Sequence, residues 1–160
     1  MASLLDLTDD LQESRLAAGT TVCAQGDQGG PLWVLVSGSL SVIKDGVQVS
    51  LIDQPGAVIG EISVLLGTPI TASVVAASDA VVRLAPDGTA FLEANPAALT
   101  FLATGLARRL QAATTYLADL TNQYGDSPGL AMVGDVLGQL TTQQRPPARP
   151  GSARDPDPEY

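Results

Sequence analysis

The 160 residues (16.4 kDa) suit one domain, and a hydrophobic fraction of 45% is enough to bury a core. Charged residues make up only 16%, as 17 acids and 8 bases, so the net charge of -9 argues against nucleic acid and anionic membrane surfaces as partners. With no histidine and one cysteine, Cys23, the chain cannot assemble a histidine-based catalytic site, a paired-cysteine zinc site or an internal disulfide. No carboxylate pair is spaced for acid–base work either, so the expectation is a non-enzymatic protein without a metal.

The N-terminus, MASLLDLTDDLQESR, is acidic and its apolar run is too short for a secretory signal. Nowhere do 18 apolar residues follow one another, so no membrane insertion is expected, and a cytoplasmic location follows from the lone cysteine. Leu4, Leu5, Leu7 and Leu11 recur at near-helical spacing, predicting a short helix or a pair of turns with Thr8 and Asp9 as caps.

From about Arg15 to Leu84 short apolar runs alternate with turn residues, the pattern of a barrel or jelly roll. Strands are predicted over Leu32–Val36, Leu40–Lys44, Val47–Ile52, Ser73–Ala77 and Ala80–Leu84. Asp45-Gly46 between two such runs is a two-residue hairpin signal, because both turn positions need positive φ. Arg83 reads as an exposed strand residue; Trp33 and Cys23 read as barrel residues, Cys23 as a small apolar filler.

After Gly88 the texture is helical. A short helix around Ala90, Phe91 and Leu92 must end at Asn95-Pro96. A long helix then runs to Tyr124 with Leu99, Leu102, Leu106, Leu110, Ala113, Leu117, Leu120 and Tyr124 as one apolar seam. That seam fits either packing on the barrel or, in its second half, a partner helix of a homodimer, with Tyr116 and Tyr124 as interface candidates. Arg108 and Arg109 read as solvated bases, or as charge lent to a ligand. Leu130, Val133, Val136, Leu137 and Leu140 predict a last amphipathic helix, and 141–160, with five of the eleven prolines, a disordered tail.

One segment carries candidate chemistry: Pro55-Gly56, then Gly60-Glu61-Ile62-Ser63, then Gly67-Thr68-Pro69-Ile70-Thr71-Ala72-Ser73-Val74. It reads as a tight turn, a glycine, a turn or two of helix, a second turn and a strand. The first amides of such a helix have no intrahelical acceptor and favour an anion. Gly60 lets a ligand approach the backbone, and Thr71 and Ser73 add hydroxyls from the far side.

Ala18-Gly19, Gln25-Gly26-Asp27, Leu32 to Leu40 with Ser37-Gly38, and Pro55-Gly56 leading into Gly60-Glu61 stand in an order that resembles the cyclic nucleotide-binding domain of the catabolite activator and cyclic-nucleotide-gated channel superfamily. The resemblance covers roughly Leu11 to Leu120. It implies a mainly β fold with flanking helices, a β-roll or jelly-roll barrel followed by a long C-terminal helix. The expected organisation is this domain over 1–124, a short helix over 125–140 and the tail over 141–160.

By the same resemblance, Gly56 to Val74 is the phosphate-binding cassette, and the ligand-binding residues are Gly60, Glu61, Ile62, Ser63, Ile70, Thr71 and Ala72. Gly60, Ile62 and Ser63 would donate to the cyclic phosphate of cAMP or cGMP, Glu61 would accept from the ribose 2′-hydroxyl, and Thr71 would touch the phosphate. The family's phosphate-binding arginine falls at Ile70, which cannot neutralise an anion. The long helix Ala97 to Tyr124 matches the element that closes over the base and forms a homodimer in many members. The residues after Tyr124 hold only three bases, Arg145, Arg149 and Arg154, so no DNA-binding domain is expected and output would pass through an unknown protein partner. The alternative is a ligand-independent interaction module with a vestigial pocket.

Overall fold

Turn residues cut the first half of the chain into extended pieces too short to stand alone, and these pair into two antiparallel sheets. The computed structural model describes residues 3–124 and 131–142. Its elements are a 3-10 turn (Asp6–Thr8), β1 (Gln12–Leu16), β2 (Thr21–Cys23), β3 (Leu32–Ser37), β4 (Leu40–Lys44), β5 (Val47–Ile52), β6 (Val58–Ile59), α1 (Glu61–Leu66), β7 (Ser73–Ala76), β8 (Ala80–Ala85), α2 (Gly88–Ala94), α3 (Pro96–Tyr124) and α4 (Ala131–Thr142). One sheet runs β1-β8-β3-β6 and the other β2-β7-β4-β5. Side chains alternate across a strand, and the inward ones meet between the sheets: Cys23, Leu35, Leu40, Ile59, Val74, Ala76, Ala80 and Val82 share one apolar core with Ile70. This is the expected β-roll with flanking helices.

The hairpin forms as predicted: Asp45 and Gly46 take φ of 51° and 80°, and β4 pairs with β5 on either side of them. Predicted and observed strand bounds agree to within a residue from β3 to β5 and at β7 and β8. Extended structure begins earlier than Arg15, however, at Gln12. β1, β2 and β6 escape prediction because they are short or polar (β1 is QESRL) and exist through their partners β8, β7 and β3.

Thr8 is not a helix cap. It is fully buried inside the 3-10 turn, and its hydroxyl lies 3.0 and 3.1 Å from the carbonyls of Leu4 and Leu5 as donor. Arg83 is not an exposed strand residue. Its side chain is 14% exposed, and it pairs with Asp9 at 3.0 Å and Glu13 at 3.4 Å while donating to the Leu5 carbonyl at 2.8 Å and to Thr8 Oγ1. One guanidinium thus ties the N-terminal segment to the sheet, using the several donors of its planar fork.

Asp87 caps α2 by accepting from the Ala90 amide at 3.0 Å. Asn95 separates α2 from α3, donating from Nδ2 to the Phe91 carbonyl, and Pro96 opens α3 at the position where its missing N–H costs nothing. Contacts divide the chain into two compact units, Met1–Thr104 and Gly105–Tyr160. In the first unit, Ala98 and Leu102 of α3 are buried while Leu99 and Phe101 remain exposed; in the second, Leu110 and Tyr116 are exposed. Among the described residues the seam is therefore only partly covered. In α4, Val136 and Leu140 are exposed, and the helix continues through Thr142, two residues into the stretch expected as tail. Leu130, from the expected last helix, and residues 143–160 of the expected tail lie outside the described residues. Among the described residues, no helix is long and apolar enough to cross a membrane.

Candidate functional site

The segment 55–74 is held in place from both ends. At its start, the Gly56 amide donates to the Leu35 carbonyl at 2.8 Å and the Leu35 amide to the Ala57 carbonyl at 2.9 Å, so the turn is fastened to β3. β6 continues that pairing, with Ile59 opposite Trp33. Gly60 follows at φ 87°, in the left-handed region, and a Cβ there would lie 2.8 Å from the Pro31 carbonyl oxygen and 3.2 Å from the Trp33 ring. Both the backbone conformation and the space therefore demand glycine.

α1 begins immediately afterwards, with Glu61 as its first residue. Glu61 is 7% exposed and Ser63 3%, while Ile62 is half-buried. The amides of Ile62 and Ser63 lie in the first turn, where a helix offers no acceptor of its own. The Ser63 hydroxyl is committed internally: it donates to the Pro69 carbonyl at 3.0 Å and so closes the second turn. Gly67 caps α1 in a left-handed conformation, with its amide on the Ser63 carbonyl. Next to it, Thr68 Oγ1 is buried and has no hydrogen-bond partner among the described residues.

The far end is fastened to the turn between β2 and β3. The Ile70 amide donates to the Asp27 carbonyl and the Gly26 amide to the Ile70 carbonyl, both at 2.8 Å. The Gln25 amide donates to Ser73 Oγ at 2.8 Å, so that hydroxyl also serves the scaffold. Gln25 further exchanges two side-chain hydrogen bonds with Asp45, 2.8 Å from Nε2 and 3.0 Å to Oε1, linking the hairpin tip to the same turn. A Cβ at Gly29 would collide with the Thr68 carbonyl and Ser63 Cβ, so this loop lies directly against the cassette.

The sequence-derived set therefore divides. Gly60, Glu61, Ile62 and Ser63 are contiguous at the start of α1, and exposed Thr71 and half-buried Ala72 lie before β7. Ile70 goes inward: it is 5% exposed and belongs to the apolar core. Within 55–74 the only charged residue is Glu61, so an anion finds no cation in the segment itself. Gln25, Asp27, Gly29 and Trp33, which shape the segment, were legible only as turn or barrel residues, because nothing local announces a partner more than twenty-five residues away. Cys23 is buried beside Val74 in the core, and burial pushes its thiol up to about 11, as fits a structural filler.

A family model described as the cyclic nucleotide-binding domain matches residues 13–109. A cAMP-dependent protein kinase regulatory subunit of Yarrowia lipolytica is 38% identical over 66 residues, 41% of this chain and 17% of that protein. This chain thus spans a small part of that curated relative. Among solved structures, the N-terminal domain of a transcriptional regulator from Streptomyces coelicolor A3(2) is similar with a TM-score of 0.50 at 28% identity, covering 67% of this chain and 78% of that one. The Thermus thermophilus catabolite activator protein is similar with a TM-score of 0.57 at 21% identity, covering 84% and 78%, a likeness of fold alone.

Proposed function

The chain belongs to the cyclic nucleotide-binding domain family, and from that premise we propose that it is a non-enzymatic regulatory domain whose cassette, Gly60 to Ala72, binds a cyclic nucleotide weakly. The observation that carries this reading is the buried Glu61 directly after left-handed Gly60, which sets a carboxylate acceptor beside the first-turn amides of Ile62 and Ser63, for which the helix itself offers no acceptor. Glu61 would take a ribose hydroxyl, and the two amides with Thr71 would take the phosphate. The Yarrowia relative is named for cAMP, which favours cAMP over cGMP. In this reading the protein works in the cytoplasm, as a homodimer through Ala97 to Tyr124, and signals through a protein partner.

Affinity is low because Ile70 offers no cation. A charge-assisted hydrogen bond contributes about 1.5–3 kcal/mol, so its loss weakens binding by roughly one to two decades, and more if the contact is bidentate. Calorimetry with cAMP and cGMP tests the reading, with Glu61→Gln as the control. Heat of binding that the variant reduces supports it; no heat and no thermal shift at about 1 mM ligand, where a Kd of that size corresponds to a binding free energy of about -4 kcal/mol, overturns it.

A second reading, a ligand-independent interaction module, is favoured by the burial of Ile70 in the core. It fails if wild type binds either nucleotide in the low micromolar range.

A further inference from the structure

We propose that the tip of the β4–β5 hairpin clamps the far wall of the cassette through Gln25, a positioning residue that bonds to both. The proposal rests on the reading of the cassette as a ligand site; Gln25 and Asp45 themselves lie outside it.

Gln25 sits in the turn between β2 and β3 and reaches in two directions. Its amide donates to Ser73 Oγ at 2.8 Å, at the end of the cassette. Its side chain meets the hairpin tip, where Nε2 donates to Asp45 Oδ1 at 2.8 Å and Oε1 accepts from the Asp45 amide at 3.0 Å. The carboxamide thus uses both its donor group and its acceptor. Asp45 is 20 residues from Gln25 in sequence and Ser73 is 48, so the tertiary fold brings them together.

Asp45 is a firm anchor. It is the one non-glycine residue with positive φ among the described residues, at 51°. Its strand β4 is paired on both sides, to β5 and to β7, and the β7 pairing sets Ile43 opposite Ser73. The hairpin tip and the cassette end therefore lie side by side, and Gln25 links them from the third corner.

The turn that Gln25 steadies is braced within itself. Gly26 has φ 90°, and Asp27 bonds Ala24 twice at 3.1 Å, its carboxylate accepting from the Ala24 amide and its own amide donating to the Ala24 carbonyl. These residues move together, and they carry both backbone bonds of Ile70, each 2.8 Å. Those bonds turn the Ile70 side chain inward and leave Thr71 exposed. The near end of the cassette, by contrast, is held by backbone bonds to β3. The three bonds of Gln25 are all at exposed positions, where local opening costs least. Opening the clamp frees the turn with Ile70 and Thr71 attached, and a wall that must be ordered on binding lowers affinity.

The test compares the full chain as wild type, Gln25→Ala, Gln25→Glu, and Gln25→Glu combined with Asp45→Asn. Gln25→Ala removes both side-chain bonds and Gln25→Glu sets two carboxylates against each other. The double replacement restores both bonds, with the carboxylate at position 25 as acceptor. Urea unfolding curves establish that each protein folds. Without ligand, amide hydrogen exchange at Gly26 and Ile70 should rise about fivefold or more in both single variants while buried Val34 and Val82 stay unchanged, and should return to within about twofold of wild type in the double replacement. Calorimetry should show cAMP binding about three- to tenfold weaker in the single variants and recovered in the double. Exchange at Gly26 and Ile70 that the single variants leave unchanged, that rises equally at Val34 and Val82, or that the double replacement does not restore overturns the proposal. So does unchanged cAMP affinity in the single variants. A wild type that binds no cAMP at about 1 mM removes the ligand reading instead, and the exchange pattern then decides the clamp by itself.

Discussion

Replacing Ile70 by arginine would place a cation where the family resemblance implies a phosphate-binding arginine, yet the fold sets a cost on the change. Ile70 is 5% exposed in the apolar core, and both its amide and its carbonyl are bonded to the turn at Gly26 and Asp27. If the arginine stays inward, it buries an unpaired cation, at a penalty of several kcal/mol. If it swings out, the burial of isoleucine is lost, about 1.5–3 kcal/mol. The two backbone hydrogen bonds are then put at risk, at about 0.5–1.5 kcal/mol each. Either route removes about 3–6 kcal/mol from a domain whose total stability is on the order of 5–15 kcal/mol. Only a bound phosphate, giving two charge-assisted bonds of about 1.5–3 kcal/mol each, could offset that loss. Urea unfolding followed by circular dichroism, with and without cAMP, should therefore show a ligand-free Ile70→Arg protein far less stable than wild type, and a larger rise on adding cAMP in the variant. Ile70→Val, costing about 0.5–1.5 kcal/mol, calibrates the site. A ligand-free Ile70→Arg protein as stable as wild type would refute the assignment of this side chain to the core.

Arg83→Ala should cost about 2–4 kcal/mol, because it leaves the Leu5 carbonyl and Thr8 Oγ1 short of a donor and Asp9 and Glu13 without their cation; hydrogen exchange of residues 3–11 should rise with it. Gly60→Ala should cost about 1–2 kcal/mol for the left-handed backbone, with a further cost from the Pro31 carbonyl; fluorescence of Trp33, the sole tryptophan, should shift, and an unchanged spectrum and stability would contradict the close approach. Cys23 should react with iodoacetamide at pH 8 about a hundredfold more slowly in the folded than in the urea-unfolded chain, its thiol being pushed up to about 11 from 9.0 by burial. The same shift has a sign for stability: the unfolded thiol ionises first, so folding stability from this group is intact below pH 9.0 and is lost as pH rises toward about 11. Cys23→Ala should flatten stability across that window.

What the linear chain determined by itself was whatever a few neighbouring residues can impose. Asp45-Gly46 forces a hairpin because its dihedral requirements are local, and Asn95-Pro96 parts two helices for the same reason. Short apolar runs between turn residues pointed to a barrel or jelly roll before any contact was known, and it was the family resemblance that implied a cassette over Gly56 to Val74. The tertiary structure decided what depends on partners far along the chain. β1 and β6 are strands only because β8 and β3 lie beside them. Arg83 became a buried tie only when the N-terminal turn came within reach of its guanidinium. Ile70 faces inward because Gly26 and Asp27 fix its backbone from the far side of the cassette, and that orientation, rather than the residue type alone, sets how the site can meet an anion. Side-chain direction at a strand or loop position is set by the register of its neighbours, and register is a property of the assembled sheet.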